Sequence, residues 1–470
     1  DNRVAYRSKR IWLMCLNAAM STSFFGYCGS VIAMPQANIA YDLNLGDSSD
    51  SFYSIFISIH YVGCAFGGIS AGKISDRVGR RGGLILSDVI GILGCLMYIF
   101  PTTTTLLIGR IITGFAAGIT ASIPALYIKE ISPPEISGKT GCLYQICSMI
   151  GILTGYLMGL PLPISDFSSA WNKWWIVMLM FPILQLSVSL FVFLVYFKNE
   201  TPAYSIVKCY QRDLTFIISE LYEPDSIFRY KTKLVGKYEI SEDMEDSPAA
   251  AAYNMTYQEF LFDRRFRKML VIGFGAQVCQ QWIGNNAIVT FATRIFESFS
   301  TTYTARIMTV VVGFFNLLAT TGAIFLIDGV GRKGLLRYGC LFLCLILLGT
   351  GYISYMELSV VYAALLISLF MLVYGMTIGA VTWVYCGEVL TDAGISLSVF
   401  FAYCNLFLLL LSYDFIASFG LCYTFWLYAT TAAIFYAFYS LYLIETKGLT
   451  KEEICEALVL RPKDTSEEFS

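Results

Sequence analysis

Charge is scarce in this chain. Only 14% of its 470 residues are Asp, Glu, Lys or Arg, against roughly 25% in ordinary soluble domains, and the mean hydropathy is +0.63. That composition excludes a soluble globule and places the chain in lipid. Histidine is nearly missing, His60 being the one imidazole in the sequence. With no nucleophile, base and orienting group gathered at one depth, enzyme chemistry is excluded as well. A formal net charge of −2 and the lack of a basic cluster leave nothing to hold nucleic acid. The 14 cysteines lack paired-ligand spacing and lie mostly inside apolar runs, as small hydrophobes. Neither a metal nor a cofactor is expected.

What the chain has in abundance is apolar sequence. A membrane-crossing helix needs about 20 apolar residues, because unpaired backbone groups in hydrocarbon cost several kcal/mol each. About twelve runs meet that length, near 11–34, 52–72, 83–101, 106–128, 141–160, 174–197, 268–292, 303–327, 335–353, 360–386, 396–419 and 423–444. Lys and Arg concentrate after the second run (Lys73, Arg77, Arg80, Arg81), after the sixth, and after the eighth (Arg332, Lys333, Arg337), whereas the loop at 35–51 carries Asp but no Lys or Arg. The positive-inside rule then puts both termini and the 199–267 linker in the cytosol. The first run holds Asn17 and Gly26-Tyr27 with no small-residue cleavage site, so a retained helix is expected there in place of a signal peptide.

The chain also repeats itself. Asp76-Arg77-Val78-Gly79-Arg80-Arg81 returns as Asp328-Gly329-Val330-Gly331-Arg332-Lys333, Glu130-Ile131-Ser132 as Glu388-Val389-Leu390, and Glu200-Thr201-Pro202 as Glu445-Thr446-Lys447. The period of about 250 residues is that of two parallel halves around an axis along the membrane normal. Four parts are expected: bundles at 1–198 and 268–444, a linker with short helices at 199–267, and a tail at 445–470. Gly63, Gly67 or Gly68, and Gly72, with Gly114 and Gly118, predict close backbone approach that lets bundles rock without opening voids.

These motifs resemble, in order and spacing, the sugar porter family of the major facilitator superfamily. The likeness adds Gly109-Arg110, Gln280-Gln281-Trp282-Ile283-Gly284-Asn285-Asn286 and Glu445-Thr446-Lys447-Gly448 to the repeats, and it spans nearly the whole chain. It implies an all-α polytopic membrane protein with the major facilitator fold, twelve transmembrane helices in two six-helix bundles. It also implies transport of a hexose, glucose foremost, by a monomer in the lipid bilayer of a plasma membrane. Gln145, Gln280, Gln281, Asn286, Asn316, Trp383 and Asn405 look like the family's sugar-binding set. Neutral amides suit that task, since each sugar hydroxyl both donates and accepts, and an indole face suits the apolar side of the ring. Gln280 and Gln281 point in different directions on a regular helix, so both reach a sugar only if the helix is irregular near Gly284. Thr290 and Phe291 are expected in an outer gate. Asp76, Arg80, Arg110, Glu130, Glu200, Asp328, Arg332 and Glu388 are expected in a cytoplasmic ion-pair network that biases inward against outward states.

The chain departs from the pattern where Ser137 and Ala203 replace Arg, and where no Pro precedes Trp383. Thr290, together with the missing Arg after Pro202, resembles the divergent hexose transporters of apicomplexan parasites. Proton-coupled members resemble this chain but carry Asp after the Gly-Tyr pair of the first span, where this chain has Cys28, a poor proton carrier. Facilitated uniport is the reading that follows. His60 is the possible proton site of the alternative, a proton-coupled sugar or polyol symporter, with Asp88 and Asp414 as further titratable groups placed near the interface. A non-transporting sugar sensor is the remaining alternative, disfavoured by the short tail after the last span.

Overall fold

With no water to bond to in hydrocarbon, a chain this apolar satisfies its peptide groups along helices. The computed structural model describes residues 5–46, 49–133, 135–169, 171–208, 211–224, 226–228, 230–232, 234, 257–449 and 451–458, with side chains described for all of these but 207, 211–213, 324–330, 392, 451, 452 and 456. Among the described residues, 11 helices are long and apolar enough to span a membrane. A further crossing, the seventh, is broken into Arg267–Trp282, Asn285–Thr290 and Ala292–Glu297. The break has a local cause, since Gly284 takes φ 89°, a conformation that costs other residues strain, and starts the middle segment.

The first six spans are Ser8–Ser30, Ser49–Val78, Arg80–Leu96, Thr103–Thr120 with Ile123–Ile131, Ser137–Gly159 and Trp174–Val195. After the seventh come Thr302–Val330, Arg332–Tyr355, Val360–Val389, Asp392–Ala417 and Leu421–Tyr442. Each set of six packs mainly on itself, and the sets meet along the second span against the eleventh and the fifth against the eighth. Leu184, Leu345 and Leu365 are exposed on the outer surface, as lipid-facing positions should be. The linker forms short helices at Pro202–Val207, Gln211–Leu221 and Tyr257–Phe262. It lies at the same end as residues 5–7, whose backbone bonds to residues 221–223; this is the linker end, and the opposite one is the far end.

The expected glycines divide between two tasks. A Cβ on Gly63 or Gly67 would strike the Ile111 or Phe115 carbonyl, and one on Gly114 or Gly118 would strike the His60 or Cys64 carbonyl. These four residues therefore fasten the second span to the fourth within one half. They are not a sliding face. Gly68 and Gly72 are the ones that look toward the other half, at Val399 and Ser396. A second tight contact joins the first span to the fifth, where Gly26 faces the Ser148 carbonyl and Gly151 the Ser23 carbonyl. Side-chain truncation at such seams gives helices van der Waals contact over backbone that a methyl group would prevent.

The tenth span keeps an irregularity without the expected proline. Residues Gly375–Gly379 form a π turn between Val360–Tyr374 and Ala380–Val389. Such a turn inserts a residue and leaves wider-spaced carbonyls, and here the Gly379 carbonyl accepts from Gln280 Nε2 at 3.3 Å.

Candidate functional site

The two interrupted spans meet at one cavity of about 130 Å³ between the halves. It is lined by Gln145, Gln280, Gln281, Asn286, Asn316, Trp383 and Thr290, seven of the nine residues expected to bind or gate. None of its lining residues carries a charge. Gln280 and Gln281 both reach it although both lie within the regular stretch Arg267–Trp282, and the break at Gly284 brings Asn285 and Asn286 to the same cavity.

Asn286 donates through Nδ2 to Gln281 Oε1 at 2.6 Å. Gln280 is held from both sides, since Tyr374 donates its hydroxyl to the Gln280 carbonyl at 3.3 Å. Its Oε1 is buried without a hydrogen-bond partner, and so is Asn285 Oδ1 beside it. Buried acceptors of this kind cost about 1–3 kcal/mol each unless a donor meets them, and hydroxyl donors would do so. Asn285, Tyr61, Tyr144, Ser148, Thr320 and Tyr403 line the cavity as well, beyond the residues expected from the sequence. The doubled Asn after Gly284 was the available signal; the tyrosines carried none. Tyr61 and Tyr403 stack with centroids 6.5 Å apart, one from each half.

Two expected residues lie elsewhere. Asn405 is outside the lining: its Oδ1 accepts from Trp282 Nε1 at 3.2 Å and its Nδ2 donates to the Phe401 carbonyl at 2.9 Å. Phe291 is buried against Tyr413, with ring centroids 3.9 Å apart and planes within 7°. It packs one helix of the far end against another instead of facing the cavity.

At the linker end each half carries the same charged cluster. Arg80 Nε reaches Glu130 Oε1 at 2.9 Å and Oε2 at 3.1 Å, and the Thr201 hydroxyl donates to the same carboxylate. In the other half Arg332 Nη2 reaches Glu388 Oε1 at 3.0 Å, and Thr446 donates to Glu388 Oε2 at 2.6 Å. Glu200 accepts from the Arg81 and Gly82 amides, at 3.1 and 2.9 Å, as Glu445 does from those of Arg332 and Lys333, at 2.9 and 3.1 Å. Each of these glutamates caps the helix that starts after the Gly turn. Burial pushes the Glu200 carboxyl up, and its amide donors do not fully offset it. Glu445 is also pushed up by burial, yet the Lys447, Arg332, Lys333 and Thr446 amides together hold it below the usual range. Asp76 is largely exposed, 3.7 Å from Arg80. The Asp328 side chain lies outside the described residues.

Arg110 does not join this network. It is buried inside the first half, where Nε donates to the Phe56 carbonyl at 3.2 Å and Nη1 to the Cys28 carbonyl at 2.9 Å. Its guanidinium lies over the Phe56 ring. Among the described residues it forms no ion pair. His60 is fully buried beside it, with Nδ1 3.2 Å from the Arg110 carbonyl and Nε2 without a partner. Asp88 is also fully buried, midway along Arg80–Leu96, where its carboxyl interacts with the Ser189 side chain. Asp414 belongs to a charged cluster at the far end.

The seam between the halves is closed at that end. Tyr156 of the first half donates its hydroxyl to the Val289 carbonyl of the second at 2.6 Å, and Arg306 donates to the Leu162 carbonyl. At the linker end, by contrast, a Cβ on Gly138, Gly141 or Gly387 would meet nothing within 4 Å. Trp383, on the same stretch as Gly387, lines the cavity and is 38% exposed.

A central chamber between two six-helix halves, neutral in charge and closed at one end, defines a membrane carrier of the major facilitator fold. The chain belongs to the sugar transporter family: the family model described as "Sugar (and other) transporter" matches residues 14–458. Among its relatives, the galactose-proton symporter of Escherichia coli is 28% identical over 94% of this chain and 93% of its own. The facilitated glucose transporter member 2 of Sus scrofa is 24% identical over 86% of this chain and 76% of its own. In fold the chain is similar to the inward open conformation of the xylose transporter XylE from E. coli, with a TM-score of 0.78 at 22% identity over 96% of this chain and 100% of that one.

Proposed function

We propose that this protein is a facilitative hexose carrier, glucose being the favoured substrate, that works by alternating access as a uniporter. Its halves, 1–198 and 268–444, rock about the cavity as two bodies, joined by the 199–267 linker and followed by the 445–470 tail. One protomer suffices. The linker end faces the cytosol of a cell bounded by the plasma membrane in which the protein sits, in keeping with the Lys and Arg of the loops there.

Gln145, Gln280, Gln281, Asn286 and Asn316 hold hydroxyls in this reading, Asn285 adds an acceptor, and Trp383 covers the apolar ring face. Asn405 orients Trp282 behind the cavity, and Phe291 with Thr290 backs the far-end closure. The Arg80–Glu130 and Arg332–Glu388 clusters, with Glu200 and Glu445 on the helix starts, stiffen each half as it swings.

Uniport rests on one observation: the buried Arg110 is met by the Phe56 and Cys28 carbonyls and by no carboxylate among the described residues. Among the described residues no carboxylate stands there to trade a proton against that cation, and the neighbouring His60 is held at the Arg110 carbonyl. Proton coupling is the second reading, favoured by the likeness to a galactose-proton symporter and by the buried Asp88. Purified protein in liposomes with an imposed pH gradient separates them. Glucose is expected to equilibrate and stop; accumulation beyond the external concentration, abolished by a protonophore, would overturn uniport.

A further inference from the structure

Arg294 sits in the last segment of the broken span, Ala292–Glu297, at the far end. Its Nη1 meets Asp414 Oδ1 at 2.6 Å, within the second half, and its Nη2 meets Asp50 Oδ1 at 3.3 Å, across the seam. Asp414 in turn takes the Ser54 hydroxyl from the first half on its other oxygen. Gln36 donates to Asp50 at 3.1 Å, fixing that carboxylate from its own side. One guanidinium thus serves two carboxylates from opposite halves, which would repel each other if it were withdrawn.

We infer that Arg294, Asp414, Asp50 and Ser54 form a polar latch that holds the far end shut and sets how often it opens during transport. The contacts divide by what a parting of the halves does to them. Arg294–Asp414 lies inside one half and survives opening, while Arg294–Asp50 and Ser54–Asp414 are broken. The carried-along pair stays neutral, Asp50 is left with Gln36 and solvent, and the latch re-forms on closure. Of the broken contacts, that from Ser54 is the stronger, because the Asp414 side chain is 20% exposed whereas that of Asp50 is 61% exposed and screened by salt. Other charged groups at this mouth are Glu297 and Arg306; Arg306 already bonds the Leu162 carbonyl across the same seam.

This latch rests on the alternating-access reading, and its test needs no sugar. Hydrogen–deuterium exchange of the full chain in lipid nanodiscs reads opening directly. In the double variant Asp50→Asn with Ser54→Ala, amides of 36–42 and 292–297 are expected to exchange about tenfold faster, while 80–96 and 332–355 stay unchanged; Ser54→Ala alone should give most of that effect. Unchanged exchange at the far end would overturn the latch. So would uniformly faster exchange in both halves with a lowered melting temperature, which would make these residues part of the fold's general support. Counterflow on the same preparations keeps the two proposals apart: far-end exchange that responds to the variants in a protein that moves no sugar removes the transport reading and leaves the latch standing.

Discussion

Asn286 grips Gln281: the amide of one donates to the amide oxygen of the other at 2.6 Å. Two side chains proposed to hold sugar hydroxyls therefore hold each other, and a bound sugar must compete with that bond. Asn286→Ala and Gln281→Ala are each expected to raise the half-saturation concentration for glucose about tenfold, close to one charge-free hydrogen bond in free energy. The double variant should fall well short of the product of the two, since each single change already breaks the shared contact. Counterflow titration in liposomes gives all four constants.

Gly284 stands at φ 89°, where a Cβ would run into the Tyr428 ring. Gly284→Ala is expected to lower stability by about 1–3 kcal/mol, seen as a reduced melting temperature in detergent. It should depress transport by more than that loss accounts for, because it shifts Gln280 and Gln281 relative to Asn285 and Asn286. A comparison of turnover at matched folded fraction separates the effects.

The two linker-end clusters are alike in pattern and unequal in burial. Glu130 and Arg80 side chains are 11% and 13% exposed, against 27% and 16% for Glu388 and Arg332. Removing one partner strands the other, and the penalty grows with burial. Glu130→Gln is expected to cost about 2 kcal/mol and Glu388→Gln about 1, as measured by thermal unfolding, with Thr201→Val reproducing part of the Glu130 effect.

Glu200 and Glu445 occupy equivalent places and should respond oppositely to acid. Glu445 is held below the ordinary value of 4.5, so its stabilising contribution is present above that pH and is lost as pH falls through its lower folded value. Glu200 is held above 4.5, so its contribution is present below that pH and is lost as pH rises through its higher folded value. On acidification from pH 7 to 4, the melting-temperature gap between the wild type and Glu445→Gln should narrow. Over the same range the wild type should gain on Glu200→Gln.

Much of this was readable from residue order alone. Apolar run length located the helices, because hydrocarbon leaves the backbone one way to satisfy itself, and the doubled Gly-Arg turns marked the two halves. Gln145, Gln281 and Asn286 stood out as polar groups on otherwise apolar spans. What escaped depends on which helix faces which. Arg110 shares the spacing of a charge-network motif, yet is buried inside the first half, where carbonyls meet it. Asp414 reads as an interface residue until Arg294 and Ser54, distant in sequence, are seen beside it. Gly63 and Gly67 have the spacing of any close-packed face; only the carbonyls opposite them tell a joint from a bearing. The π turn at Gly375–Gly379 has no proline to announce it.

The glycine seams of the first half have a mechanical corollary. Helices locked carbonyl to carbon along Gly63, Gly67, Gly114 and Gly118 have no room to flex against one another, so under the proposed alternating access the second and fourth spans would turn as one piece. On that reading a single methyl group added to the weld would soften the stroke while leaving the cavity lining in place.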